Sequence, residues 1–341
     1  MTKLKIAVIG YGGMGSYHAN TILAKEKDLF EVVGIYDIDS NRQAHAIQDG
    51  LPVYENLEEV LKDSNVDALL IATPNDSHKE LAIRGMEAGK HIVCEKPAVM
   101  NPQEFHEIQK VIERTGRTFM VHQNRRWDPD FLILKELYEN KEIGEIFQIE
   151  SRVHGANGIP GDWRHKKEHG GGMLLDWGVH LFDQLLWMID SPIKKIETDL
   201  SFVLGNEVDD GFFSYITFEN NMKVLVEVGT TNYTKLDRWY IKGTKGTAKI
   251  SDWDLTGEMV VSKETQSVVH PTPIKAGVGL TKTMAPPSEE ATTKKKLPKG
   301  HEMNQSFYQN FYHVVKNEEE PLVKNEEVLH VLTLMDNILT R

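Results

Sequence analysis

The sequence predicts two domains: an α/β domain built on a doubly wound parallel sheet, then an α+β domain with an open, mostly antiparallel sheet. Three observations carry this reading. Over the first ~120 residues, short apolar runs alternate with helical patterns, the texture of parallel strands covered by helices on both faces. The first of those runs leads directly into a glycine-rich turn. From Ile193 to Ile250, alternating strands instead follow one another with turn signals and no helix between them, as in a sheet open on one face. The 341 residues suffice for two cores of ordinary size, and the change of texture sets the boundary between residues 1–122 and 123–341.

In order along the chain, Lys5 to Ile9 is a continuous apolar strand, His18 to Ala24 has a helical pattern and Glu31 to Tyr36 is a second strand. Leu57 to Leu61 reads as helix, Ala68 to Ala72 as a third strand and Lys79 to Ala88 as helix. His91 to Cys94 is a fourth strand, Pro102 to Thr115 a helix and Thr118 to His122 a fifth strand. After Gln123 come a helix from Asp130 to Tyr138 and an alternating strand from Ile146 to Val153. Gly170-Gly171-Gly172 then opens a long apolar helix, Met173 to Ile189. The stretch from Lys263 to Gly300, with five prolines and Lys294-Lys295-Lys296, is a long surface excursion. It reads as a solvated loop, an active-site flap or a subunit-contact arm. Helices from Asn304 to Val315 and Asn325 to Leu339 close the chain and are placed to pack back on the first domain.

Composition excludes several function classes. The formal charge of −12 argues against nucleic acid, which requires a basic face. Cys94 is the only cysteine, so no intramolecular disulfide forms, as in proteins of a reducing compartment. No apolar run approaches the ~20 residues that span a bilayer. The opening MTKLKIAVIG runs into a glycine turn rather than a cleavage site. A cytoplasmic protein with no membrane partner is expected. The open sheet invites pairing with its own copy, so a homodimer or homotetramer is expected too.

Gly10-Tyr11-Gly12-Gly13-Met14-Gly15 matches G-x-G-x-x-G and sits after a strand and before a helix, where the mechanism requires it. Gly10 permits the turn, Gly12 lets backbone approach a pyrophosphate, Gly15 permits close packing, and the helix N-terminus offers N–H groups to phosphate. Asp37 ends the second strand ~20 residues later, where an acid bonds ribose hydroxyls. This is the Rossmann pattern, and it calls for a nicotinamide dinucleotide. Asp37 followed by Ile38 disfavours a 2′-phosphate, so NAD is favoured over NADP; Arg42 lies near enough to bear on the choice. After the third strand, Ala72, Thr73, Pro74, Asn75 and His78 lie at the carboxyl ends of parallel strands, where ligands bind. Pro74 and Asn75 also read as a plain turn, and His78 as a helix cap.

For the chemistry, Lys96 in Glu95-Lys96-Pro97 stands at the carboxyl end of a buried strand, facing the cleft rather than solvent. Asp176 and His180 share one face of an otherwise apolar helix, where a carboxylate and an imidazole make a base and its orienter. The same pair also reads as satisfied core residues. A metal set of His165, His169, Asp176 and His180 fits no standard zinc spacing, so no metal is expected.

Together, Gly10 to Gly15, Thr73-Pro74-Asn75 with His78, Glu95-Lys96-Pro97 and Asp176-x-x-x-His180 resemble the Gfo/Idh/MocA oxidoreductases, over nearly the whole chain and in order. The resemblance implies Lys96, Asp176 and His180 as the catalytic set. It implies that Thr73 to His78 and the Lys96 strand line the nicotinamide, and that Trp163-Arg164 reaches the cofactor from the second domain. It also makes Gln123-Asn124-Arg125-Arg126-Trp127-Asp128 an interdomain segment like that of relatives acting on inositols, sugars or glycosides. On that basis Gln123 joins the cofactor contacts, and Asn124, Arg126 and Arg164 join Lys96, Asp176 and His180 as contacts to a small polyhydroxylated substrate. The expected reaction is NAD-dependent hydride transfer at a hydroxyl or keto group. His180 is the base, oriented by Asp176, and Lys96 bonds the developing alkoxide. The alternatives are a redox-neutral glycoside-processing enzyme with recycling NAD and a non-catalytic NAD-binding regulator.

Overall fold

A computed structural model of the chain describes residues 2–263, 272–287 and 290–340. Five strands, β1 (Leu4–Ile9), β2 (Phe30–Tyr36), β3 (Ala68–Ile71), β4 (His91–Cys94) and β5 (Phe119–Val121), form an all-parallel sheet in the order β2-β1-β3-β4-β5. Helices cover both faces, which is why β1 and β3 are apolar without alternation and almost wholly buried. Val53 bridges Ile35 in parallel at the outer edge of β2. Counted as a vestigial strand, it restores the 3-2-1-4-5-6 order of dinucleotide-binding sheets. The order reverses between β1 and β3, so the crevice opens where Gly10 and Ala72 leave the sheet.

Most helices fall where the sequence places them. Pro102–Thr115 starts at Asn101, whose side chain accepts the Glu104 amide at 3.0 Å. Helix Ser40–Gln48 is absent from the sequence reading because it is mostly polar and buries only Ala46. Two helices carry a π turn. The one after the glycine turn runs as Gly13–Tyr17, then π over His18–Ile22, then Leu23–Lys25. The one predicted from Met173 to Ile189 is π over Leu174–Gly178 and α over Val179–Met188.

The second sheet has eight strands. They include β6 (Ile146–His154), β7 (Ile193–Ser201), β8 (Gly211–Phe218), β9 (Lys223–Gly229), β10 (Trp239–Gly243), β11 (Gly246–Ile250) and β12 (Gly257–Ser262). Every neighbouring pair is antiparallel except β6 and β9. Along β8, Phe212, Ser214, Ile216 and Phe218 point into the core, while Phe213 and Tyr215 stay 42% and 39% exposed. One face of this sheet is therefore open.

The excursion after Lys263 is more than a loop. It carries an exposed hairpin of β13 (Ile274–Ala276) and β14 (Gly279–Thr281), then returns as β15 (Thr292–Lys295), which pairs with β12 and extends the sheet. Residues 264–271 and 288–289 of that stretch lie outside the described residues. The described part lines none of the cavities discussed below. Both C-terminal helices pack back on the first domain. In Phe307–Val315, Tyr308 meets Phe30 and His18, and Asn325–Leu339 lies against the helix Pro102–Thr115. Among the described residues, no helix is long and apolar enough to cross a membrane.

Candidate functional site

The carboxyl ends of β1, β3 and β4 form one wall of a cleft, and loops of the second domain form the other. Between them lies a cavity of about 450 Å³, lined by Gly12, Gly13, Met14, Thr73, Pro74, Glu95 and Lys96 on the first side. Asn124, Arg125, Trp163, Arg164, Asp176 and His180 face them. A contiguous cavity of about 720 Å³ runs past Gly10, Asp37, Ile38 and Arg42.

The glycine turn is a cradle fixed by packing. Gly10 has φ +89°, and a Cβ on Gly15 would lie 1.9 Å from the Gly10 carbonyl oxygen. On the open side, a Cβ at Gly13 would meet nothing within 4 Å and would only fill the cavity. Asp37 is nearly buried; its Oδ2 accepts the Tyr11 amide at 2.6 Å and its Oδ1 the Asp39 amide at 2.8 Å. Arg42, half-exposed, leans on Asp37 at 3.6 Å and lines both cavities. Turn, acid and cavity fit a dinucleotide. Tyr11 takes part only through its backbone. Its buried hydroxyl donates to Asp49 at 2.7 Å, and burial, then Asp49, pushes its pKa up to about 12.

Two predicted cofactor contacts make ties within the protein, Asn75 while also lining the inner cavity and His78 away from it. Asn75 donates to the Gly170 carbonyl across the cleft at 2.9 Å, and His169 meets Asp76 beside it at 3.1 Å. His78 is fully buried, not a surface cap, and its ring nitrogens lie 2.9 Å from the carbonyls of Thr73 and Pro97. Burial lowers its pKa, so the neutral ring donates to one carbonyl at a time. It thus joins the Thr73 turn to the lysine turn without facing the cavity. Gln123 is buried and lines no cavity described here.

The chemical centre differs from expectation in one pairing. Asp176 does not bond His180. Its Oδ1 and its backbone carbonyl each accept Lys96 Nζ at 2.9 Å, and its Oδ2 lies 3.5 Å from Arg164 Nε. Burial raises the Asp176 carboxyl, but Lys96 and Arg164 outweigh that and hold its pKa below the usual carboxylate range. His180 is buried, and its Nδ1 has no hydrogen-bond partner among the described residues. Burial, with Lys96 and Arg125 nearby, drives its pKa well down, so the ring is neutral. Asp176 engages Lys96 and His169 engages Asp76, so the structure does not gather the metal set of His165, His169, Asp176 and His180.

Arg126 is a second correction. It is almost wholly buried and grips Asp183 through Nε and Nη2 at 2.8 and 2.6 Å, while Nη1 reaches Glu327 at 2.7 Å. It ties segments of the second domain together and lines none of the cavities described here. Its neighbour Arg125 is the one that lines the cleft, stacked over Trp177 at 4.2 Å. Both lie in the short 3₁₀ turn Asn124–Trp127, where successive side chains point in different directions, and no sequence signal separates them. Trp177 and Trp253, at the far end of the cleft, were likewise missed: Trp177 is an unspecified position inside the Asp176-x-x-x-His180 motif, and Trp253 sits in no local motif.

Behind Lys96, Glu95 Oε1 accepts His18 Nε2 at 2.7 Å and His122 Nδ1 at 2.9 Å. Tyr308 donates to His18 Nδ1 at 2.7 Å. Burial raises the Glu95 carboxyl, but hydrogen bonds from the two imidazoles outweigh it and hold the pKa well below normal. This closed network fixes the floor of the cavity and a C-terminal helix to the same residue.

Comparison with known proteins gives concordant matches. Residues 4–123 match a family model described as "Oxidoreductase family, NAD-binding Rossmann fold", and residues 131–249 one described as "GFO/IDH/MocA C-terminal domain". A solved NAD-binding protein from Listeria innocua is 58% identical, with a TM-score of 0.97 over 100% of this chain and 97% of that one. A scyllo-inositol 2-dehydrogenase (NADP(+)) of Bacillus subtilis is 29% identical, over 55% of this chain and 52% of that protein. A D-glucoside 3-dehydrogenase of Escherichia coli is 28% identical, over 64% of this chain and 68% of that protein.

Proposed function

This chain belongs to the Gfo/Idh/MocA oxidoreductase family, and from that premise we propose that it transfers hydride between NAD and a hydroxyl or keto group of a sugar, inositol or glycoside. One observation carries the reading. A neutral imidazole, His180, lines the same cavity as a lysine ammonium, Lys96, that a carboxylate holds in place. The glycine turn, Asp37 and the Thr73-Pro74 turn would hold the dinucleotide, which supplies the hydride acceptor when bound.

In the oxidising direction, His180 takes the proton of the reacting hydroxyl, since its ring is neutral and one of its nitrogens can accept it. Lys96 donates to the oxygen as negative charge develops on it. Asp176 fixes Lys96, not His180, so it is a positioning residue for the ammonium. Asn124, Arg164 and Arg125 add donors along the same wall, the two arginines held by Asp162 and Asp128, and favour a ligand with several hydroxyls over an apolar one. Asp37 favours NAD, since its carboxylate repels a 2′-phosphate. The open sheet face with Phe213 and Tyr215 supports a homodimer or homotetramer, which light scattering on the eluting protein would show.

The test is reduction of NAD, and separately NADP, followed by absorbance against a panel of inositols, sugars and glycosides. Turnover with NAD on one polyol class is the expected result. Bound NAD with no turnover on any of them would contradict the reading.

A further inference from the structure

The cleft continues beyond Asp176. A further chamber of about 490 Å³ opens there and shares Arg125, Arg164, Asp176 and Trp177 with the chamber that holds Lys96 and His180. Its far wall comes from the ends of β6 and β9, through His154 and Thr230, and from the β11–β12 loop, through Trp253. Lys96, His180 and the glycine turn do not reach it. The roles assigned above leave it without an occupant.

Its lining has a definite chemistry. Trp177 and Trp253 lie with ring centroids 6.0 Å apart and planes tilted by 36°. The Arg125 guanidinium sits 4.2 Å from the first ring and 5.3 Å from the second. Arg238, itself buried, holds Trp253 at 4.9 Å. Two cations thus brace an aromatic wall, while 43% of Trp253 remains exposed. Polar groups surround it, with His154, Asn157, Thr230 and Arg164 along the rim. Flat apolar surface edged by donors and acceptors suits a sugar ring, which has an apolar C–H face and a rim of hydroxyls. Size agrees. The inner chamber has to accept the nicotinamide end and the reacting ring, and the outer volume falls within the ~300–1,000 Å³ of ligand sites.

We infer that the outer chamber is a subsite for a second ring, so that the substrate is a glycoside oxidised on the ring held between Lys96 and His180. This rests on the hydride-transfer reading above and narrows its substrate class. The aglycone or second sugar stacks on Trp177 and Trp253, and its hydroxyls meet the rim. A free inositol or monosaccharide leaves that wall bare.

The test compares one-ring and two-ring compounds, glucose and myo-inositol against cellobiose, maltose and phenyl glucosides. Calorimetry on the NAD-loaded protein gives Kd, and absorbance of reduced cofactor gives kcat/KM. Two-ring compounds are expected to exceed their one-ring parents about tenfold in both, the scale of one good aromatic contact. Trp253→Ala removes that gain while leaving one-ring compounds within about twofold of wild type, and Trp253→Phe retains part of it. Asn157→Ala, on the opposite loop, supplies a second variant should Trp253→Ala not fold. Equal binding of one-ring and two-ring compounds would overturn the subsite, as would variants that weaken both alike. Trp253-dependent binding of a glycoside without hydride transfer upholds the subsite and removes the catalytic reading.

Discussion

The two walls of the cleft are built on different principles. The first-domain wall is mainly backbone: a glycine turn, strand ends and two rigid turns pinned to one another by His78. The second-domain wall is side chains, drawn from residues as far apart as Arg125, His154, Asp176 and Trp253. Lys96 and Asp176 join the two walls with one ion pair at 2.9 Å. The difference shows how the site divides its work. On the function proposed above, the backbone wall would hold the dinucleotide and the side-chain wall would meet the substrate.

That division can be broken or sharpened by experiment. Lys96→Met removes the joining cation and the donor to the developing alkoxide. It is expected to lower kcat/KM about 10³-fold on the best polyol while NAD affinity changes far less. Comparable losses in turnover and NAD binding would place Lys96 on the cofactor wall alone.

Arg125 and Arg126 then form a matched pair of neighbours. Arg126→Met leaves Asp183 buried without its cation and should cost roughly 3–5 kcal/mol in urea unfolding, with KM of the folded protein unchanged. Arg125→Met should raise KM with little loss of stability. The reverse pattern would undo the assignment of these two residues.

A smaller effect concerns Asp209, whose Oδ2 accepts the Leu174 amide at 2.8 Å where the Asp176 helix begins. Burial pushes its carboxyl up from 3.8 to about 6. A folded pKa above the unfolded one means that its stabilisation is present below pH 3.8 and is lost as pH rises through about 6. Asp209→Asn cannot ionise, so relative to wild type it should gain up to roughly 3 kcal/mol between pH 4 and pH 7. A pH-independent difference between the two proteins would show that Asp209 is ionised without penalty.

The same contrast explains what could be read in the sequence. The cofactor wall was legible because its signal is local. Gly10, Gly12 and Gly15, and the strand ends before Thr73 and Lys96, follow from spacing alone. The role of Asp176 was half legible. Its place on the helix beside His180 was clear, but the choice of Lys96 over His180 as partner depends on how two distant segments meet. Arg126 was misplaced because a carboxylate on another helix, Asp183, captures it. Trp253 and His154 carry no pattern in their own neighbourhoods and become visible only when β6, β9 and the β11–β12 loop converge. Helix Ser40–Gln48 escaped for a simpler reason: it buries only Ala46, so it lacks the run of large apolar residues by which the other helices were recognised.

The most direct test of the account is single-turnover hydride transfer in His180→Ala loaded with NAD. The account predicts NAD affinity close to wild type and transfer slowed by ~10²–10⁴-fold, the usual contribution of a general base. Transfer at a near-normal rate would show that His180 does not handle the proton.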